Sequence, residues 1–466
     1  MDDLRTQLFY TQKNGYDLIG PEEHVAADNY CRGYIEFLND SRTEREAVVN
    51  SIRLAEAVGF VPFVPGMALA PGMKIYSSNR GKALMLAVIG QRSLSDGTVI
   101  AGAHIDSPRL DLKQIPMYET DELCYLRTHY YGGIKKYQWV TIPLELHGVV
   151  ALKSGELVDV RLGREPGDPR FVITDLLPHL AQDQMKKTMA EGITGEGLNI
   201  IIGSVPYADE GKDRVKLAVL SVLNDMYGIK EEDFLSAELT AVPAFDACEI
   251  GLDRSMIGGY GHDDRVCAYA ELKAILDVEN PERTCVCILA DKEEIGSEGV
   301  SGMQSQAFDT FMEDLCAAQG VDVRRCFEKS FCLSADVTAA YDPNYADVYD
   351  KSNEARINYG IGICKFTGAR GKSGTSDASA ELVAYVRRVF DDGKVLWQLS
   401  EMGKVDQGGG GTIAKYMANR NIDTIDAGVP VLSMHAPFEV VSKLDCYMTY
   451  KGCLAVYKDG YTAGRK

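Results

Sequence analysis

Basic charge is scarce in this 466-residue chain, where 49 Lys and Arg stand against 68 Asp and Glu for a net charge of −19. A nucleic acid would meet a repelling field, so the charge balance argues against nucleic-acid partners. No stretch supplies the ~18 uncharged apolar residues of a membrane span. The opening Met1-Asp-Asp-Leu-Arg-Thr-Gln-Leu8 has neither the basic start nor the apolar stretch of a signal peptide. No Cys-x-x-Cys pair occurs, which excludes a zinc ribbon. The cysteines are scattered singly except for Cys285 and Cys287, which share an apolar run where side chains two apart point the same way and seldom bridge. These absences predict a reduced, cytoplasmic protein with no membrane anchor. Repeats and low-complexity tracts are missing too.

Hydrophobic residues make up 45% and charged residues 25%, the balance of a folded globular protein. At roughly 100 to 200 residues per domain, the length suits about two to four domains. Apolar residues at helical spacing mark Asn29 to Phe37 and Thr43 to Gly59, followed by short buried strands at Lys82 to Ile89 and Thr98 to Gly102. From about 114 to 240 the texture changes. Polar and apolar residues alternate through Gln138 to Leu152 and Leu157 to Leu162, which suits an antiparallel, half-exposed sheet. Strand and helix then alternate again: a helix at Asp263 to Leu276, strands at Cys285 to Ala290 and Phe331 to Ala335, and helices at Ala378 to Phe390 and Ile413 to Arg420. The expectation is an α/β fold, a mixed sheet covered by helices, formed by residues 1–113 and 241–466 around an inserted β-rich domain at 114–240.

In α/β sheets ligands gather past the carboxyl ends of the strands. Four apolar runs end in chemistry-bearing residues: Thr98 to Ala103 in His104-Ile-Asp106, Cys285 to Ala290 in Asp291-Lys-Glu-Glu294, Phe331 to Ala335 in Asp336, and Val429 to Met434 in His435. Asp106 is spaced to orient the His104 imidazole toward a metal. Asp263-Asp264 opens a helix after Gly261-His262. Of the paired Glu293 and Glu294, one can bind metal while the other takes a proton from water. Each also has an ordinary reading, as a buried histidine, an N-cap acid or a solvated acidic pair. Taken together, His104, Asp263, Glu294, Asp336 and His435 are too many ligands for one tetrahedral ion. Two ions ~3.5 to 4 Å apart with one bridging carboxylate would use all five.

The blocks His104-Ile-Asp-Ser-Pro108, Tyr130-Tyr-Gly-Gly133, Gly261-His-Asp-Asp-Arg-Val-Cys267, Asp291-Lys-Glu-Glu-Ile-Gly-Ser-Glu298, Ser334-Ala-Asp336, Gly408-Gly-Gly-Gly-Thr-Ile413 and Ser433-Met-His435 occur in that order. Together they resemble the M18 metallo-aminopeptidases, the family of aspartyl aminopeptidase and aminopeptidase I, and look nearest its bacterial branch. The resemblance covers residues from about 20 to 460. It implies two zinc ions per subunit, with cobalt or manganese as substitutes. One would be held by His104, Asp263 and Asp336 and the other by Asp263, Glu294 and His435. It also implies Glu293 as general base, Asp106 as the partner of His104, and a β-rich dimerisation domain within a homo-oligomer, a tetrahedral dodecamer. The segment Leu176-Leu-Pro-His179 resembles the one through which family members lend a histidine to a neighbouring active site.

The expected reaction is hydrolysis of the N-terminal residue from peptides with a free amine. Lys365, Arg370 and Lys372 form a basic stretch able to meet a substrate carboxylate. Backbone N–H groups from Gly408 to Thr412, Gly410 and Thr412 among them, are expected along the substrate pocket. Where aspartyl-specific members carry histidines after the metal aspartate, this chain has Ala339 and Asp342, which weakens the case for a strict acidic preference. The alternatives are a carboxypeptidase or deacylase of related fold, which needs an arginine for the substrate carboxylate, and a catalytically silent scaffold.

Overall fold

Val99–His104 and Cys285–Ala290 are buried at every position, as strands covered on both faces must be. In the computed structural model, which describes residues 4–461, they lie parallel at the centre of a nine-stranded mixed sheet. The ends of the expected α/β segments, 1–3 and 462–466, lie outside the described residues. Across the sheet the order is Val61–Pro62, Lys74–Asn79, Ala83–Val88, Cys285–Ala290, Val99–His104, Phe331–Ser334, Asp423–Gly428, Ile361–Cys364 and Trp397–Leu399. The four strands from Cys285–Ala290 to Asp423–Gly428 are mutually parallel, and the strands flanking them, Ala83–Val88 and Ile361–Cys364, run antiparallel to them.

Alternate side chains serve the two faces. Leu84, Leu86, Ala101 and Cys287 pack against Tyr34, Leu38, Leu272 and Val456, from the helices Pro21–Asp40, His262–Leu276 and Lys443–Asp459. Met85, Ile100, Val286 and Ile288 pack against Phe308, Met312 and Met417, from Ala307–Ala317 and Ala414–Asn419. The fold is therefore mixed α/β with helices on both faces. All twelve cysteines are free thiols. No helix among the described residues is long and apolar enough to cross a membrane.

A second sheet of six strands, antiparallel throughout, is built between Arg109 and Pro243. Its order is Leu157–Leu162, Leu144–Ala151, Ala237–Pro243, Arg109–Thr120, Leu123–Tyr131, Ile200–Gly203. It has its own core, with Leu110, Leu126, Trp139 and Leu146 beneath Val215 of the helix Arg214–Tyr227. The alternation read from Gln138 onward becomes strand only at Leu144. Lys136–Trp139 is a 3₁₀ turn that buries Trp139, and Pro143 just before the strand has no N–H to give a ladder.

A third sheet orders Cys248–Ile250, Met256–Gly259, Glu439–Ser442, Pro430–Leu432 and Thr338–Ala339. It corrects one expectation. The run Val429 to Met434 is not a main-sheet strand, because Asp423–Gly428 takes the place beside Phe331–Ser334 and the chain turns into Pro430–Leu432, antiparallel to Glu439–Ser442.

The helix Glu44–Glu56 and the loop before it meet the second sheet through buried charge. The Arg42 Nε lies 3.2 Å from Glu145 Oε1. The His147 Nδ1 lies 2.8 Å from Glu46 Oε1, in the capping box of the helix Glu44–Glu56, and its Nε2 lies 3.3 Å from Glu145. Burial by itself would lower the His147 pKa, but the nearby Glu145 carboxylate and the hydrogen bond with Glu46 outweigh it and raise it. A raised folded pKa gives stability that is complete below the unfolded value of ~6.5 and is lost as pH rises through the folded value. His147→Gln is therefore expected to cost about 3 kcal/mol at pH 6 and clearly less at pH 9, read from Tm. An equal loss at both pH values would contradict the linkage.

Candidate metal centre

Three parallel strands deliver their terminal residues to one place. His104 is the last residue of Val99–His104, Glu293 and Glu294 follow Cys285–Ala290, and Asp336 follows Phe331–Ser334. Asp263 enters from the first turn of His262–Leu276, where the Asp263–Asp264 peptide is cis. His435 comes from the loop that joins two strands of the third sheet, with φ +65°.

The two imidazoles face the two oxygens of one carboxylate. His104 Nε2 lies 3.2 Å from Asp263 Oδ1, and His435 Nε2 lies 3.2 Å from Asp263 Oδ2. His104 Nε2 is also 3.8 Å from Glu293 and 3.9 Å from Asp336 Oδ1, while His435 Nε2 is 3.5 Å from Glu294. Ligand atoms of His104, Glu293 and Asp336 fall within 4.8 Å of one another, as do those of His104, Asp263 and Glu294. Glu293 thus stands as near the cluster as a ligand does. A group that takes a proton from water held there must also stand that near.

A set of hydrogen bonds fixes these side chains. Asp106 Oδ1 lies 3.2 Å from His104 Nδ1 and accepts the Glu293 N–H at 3.1 Å; Oδ2 accepts the Glu294 N–H and the Tyr131 hydroxyl, the latter at 2.7 Å. The two glutamates lie in a 3₁₀ turn, Glu293–Ile295, rather than on a strand extension, so Asp106 aims both through their backbone. Gly133 O lies 2.8 Å from His435 Nδ1, and a Cβ on Gly132, whose φ is +74°, would stand 3.3 Å from Glu294. The block Tyr130 to Gly133 thus brings the second sheet to the site. Glu439, buried, accepts the His435 N–H at 2.7 Å and the Asp263 N–H at 3.1 Å.

Burial drives the electrostatics. It raises Glu294 and Asp336 well above the ordinary carboxylate range and Glu293 to about 7, with neighbouring carboxylates adding to the rise. Burial and the Asp263 charge raise Glu439 to about 8. Burial also acts to raise Asp263, but hydrogen bonds from His104 and His435 outweigh it and hold that carboxyl down. His435 goes the opposite way from its burial, up to about 10, through its hydrogen bond to Asp263. Four carboxylates and two imidazoles packed this closely form a donor set that could hold a metal ion.

A cavity of about 440 Å³ opens onto the cluster, walled by Gly409 to Thr412, Met402, Met434, Lys415 and Tyr416. Gly410 and Thr412 are on this wall, and the Thr412 hydroxyl donates to Asp426 Oδ1 at 2.8 Å. Lys365 and Lys372 do not line it. Both pair with Asp377, across a local hairpin, at 2.5 and 3.3 Å. His179 is exposed in the second-sheet region and is not part of the cavity wall. Glu439, Lys415 and Tyr416 escaped the sequence reading. The spacing of Glu439 four residues after His435 was the available signal for the first.

Residues 37–457 match the family described as aminopeptidase I zinc metalloprotease (M18). The probable M18 family aminopeptidase 1 of Clostridium acetobutylicum is 48% identical over 469 residues, 99% of each chain. The crystal structure of an M18-family aminopeptidase from Thermotoga maritima superposes with a TM-score of 0.93 at 43% identity, covering 97% of this chain and all of that one. That of aminopeptidase I from Clostridium acetobutylicum gives 0.91 at 45% identity with the same coverage.

Glu439→Ala, which removes the acceptor for two backbone N–H groups at the cluster, is expected to weaken zinc binding by about 10- to 100-fold in a chelator competition. Unchanged affinity would show that the loop holds His435 without it.

Proposed function

Since the chain belongs to the M18 family of aminopeptidase I zinc metalloproteases, we propose that this metallo-aminopeptidase releases the N-terminal residue of peptides through two zinc ions and Glu293 as general base. The observation that carries the reading is Asp263 set between two imidazoles, one facing each oxygen at 3.2 Å. The donor set suits zinc, which takes imidazole nitrogen and carboxylate oxygen. A buried Glu294 Oε1 with no hydrogen-bond partner fits a ligand atom awaiting an ion. His104 and Asp336 would hold one ion and Glu294 and His435 the other, with Asp263 shared. When bound, such ions supply Lewis acidity to the scissile carbonyl and bring the pKa of a water there toward ~7.

The protein residues do the rest. Glu293, aimed by Asp106 through its backbone N–H, takes the proton of the attacking water on a carboxylate oxygen and passes it to the departing amine. Asp106 keeps the His104 ring oriented, so that Nε2 faces the cluster. Gly410 and Thr412 border the groove where substrate backbone would lie. No arginine lines the cavity among the described residues, which disfavours the carboxypeptidase and deacylase alternatives.

The same reading assigns residues 114–240 as an inserted dimerisation domain within the proteolytic α/β domain of 1–113 and 241–466. It also takes the protein as a cytoplasmic homo-oligomer, a dodecamer. Leu176, Leu177, Leu180, Met185 and Met189 are all more than half exposed, an apolar surface suited to subunit contact. His179 lies among them and would reach a neighbour's site to hydrogen-bond the oxyanion.

Glu293→Gln is expected to lower kcat by at least about 10³-fold while zinc content stays at two per chain, measured on leucine p-nitroanilide. Retained turnover would remove Glu293 from its role, and cleavage of an N-acetylated twin would end the aminopeptidase reading. Co-expressed His179→Ala and Glu293→Gln chains are expected to recover activity above either variant alone. Absence of recovery would confine His179 to its own subunit.

A further inference from the structure

One wall of the metal cavity is a loop, which contributes Met402, Gly409, Gly410 and Gly411. The loop closes on itself where the Gly409 N–H donates to Met402 O at 2.9 Å. The closure is tight, since a Cβ on Gly408 would stand 1.6 Å from that same oxygen. Main-chain carbonyls hold the loop to the fold: Asn353 O accepts the Glu401 N–H at 2.8 Å, Val348 O the Lys404 N–H at 3.0 Å, and Thr367 O the Gly410 N–H at 3.1 Å. A side chain adds a further tie, for the Gly403 N–H donates to Glu354 Oε1 at 2.6 Å.

Glu354 is set up unlike a surface acid. It is 3% exposed, and its Oε2 has no hydrogen-bond partner among the described residues. Ala355 beside it bridges to Ala340, on the stretch that follows Asp336, so its main chain is fixed relative to the cluster. The groups that face it are acidic: Asp350 from its own turn and Glu401 from the loop, with the Tyr349 hydroxyl close by. Burying a carboxyl among other acids costs stability, and what this one gains there is its bond to the loop.

We propose that Glu354 is a positioning residue for the hydrolysis, whose carboxyl group holds the loop 402–411 in place as the wall against which the first residue of the substrate lies. This inference rests on the aminopeptidase reading. The other ties run to main-chain carbonyls, so Glu354 is the tie that a single substitution, or the loss of a proton, undoes. Burial raises its pKa to about 7, with Glu401 and Asp350 adding to the rise and the Gly403 N–H opposing it. A glutamate freed into water returns to ~4.3. Holding the loop therefore takes up a proton: the hold is complete below the free value and is lost as pH rises through about 7.

The test uses the zinc-loaded full chain and leucine p-nitroanilide. Glu354→Ala is expected to raise KM about 10-fold at pH 6 with kcat little changed. Glu354→Gln, whose amide oxygen still accepts the Gly403 N–H, is expected to restore KM. Between pH 6 and pH 8.5 the KM of the wild type is expected to rise about 10-fold relative to that of Glu354→Gln. An unchanged KM in Glu354→Ala, no recovery in Glu354→Gln, or parallel pH profiles for the wild type and Glu354→Gln would each overturn the proposal. If Glu354→Ala does not fold, the wild type against Glu354→Gln decides alone. Hydrogen exchange reads the loop without substrate: residues 401–411 are expected to exchange faster in Glu354→Ala than in the wild type, with Cys285–Ala290 unchanged. If the wild type cleaves no free-amine substrate, the aminopeptidase reading fails, yet the exchange rates still judge Glu354.

Discussion

The structure turns on the sharing of Asp263 by two imidazoles inside a crowd of carboxylates. Removing four carboxylates from water and setting them a few ångströms apart opposes both ionisation and folding. The protein meets that cost in two ways. His104 and His435 hold Asp263 ionised, and burial and neighbouring carboxylates let Glu294 and Asp336 keep their protons far above the ordinary carboxylate range. A pocket with this donor set could hold a metal ion.

Holding that arrangement takes all three sheets. The parallel centre of the main sheet sends His104, the glutamate turn and Asp336 to one edge, because parallel strands end on the same side. The third sheet adds His435, and the second sheet touches it through Gly133. Two buried carboxylates that stand just behind the cluster do the aligning. Asp106 binds His104 and the backbone of both glutamates, and Glu439 binds the backbone of Asp263 and His435. Residues more than three hundred positions apart in sequence are thereby set to within hydrogen-bonding precision, as pre-organised catalysis requires.

Much of this was legible from the sequence, for local reasons. Cys285–Ala290 reads as a strand because both of its faces are buried, and a polar residue directly after such a run has nowhere to go but the sheet edge. His104, Glu293, Glu294 and Asp336 were found that way. The position of His435 was legible but its setting was not. Pro430 and a three-residue strand leave a weak pattern, and the competing strand Asp423–Gly428 wins the main-sheet place by pairing with a distant partner. The pairing of Lys365 and Lys372 with Asp377 was not legible, because it depends on the register of a hairpin at 366–377. Lys415 was silent, since a lysine on a short helix has no local mark that it faces a cavity.

The most direct measurement is anomalous diffraction at the zinc edge from crystals grown with zinc. The account predicts two peaks flanking the Asp263 carboxylate, one against His104 and Asp336, the other against Glu294 and His435. A single peak, or peaks away from Asp263, would contradict it.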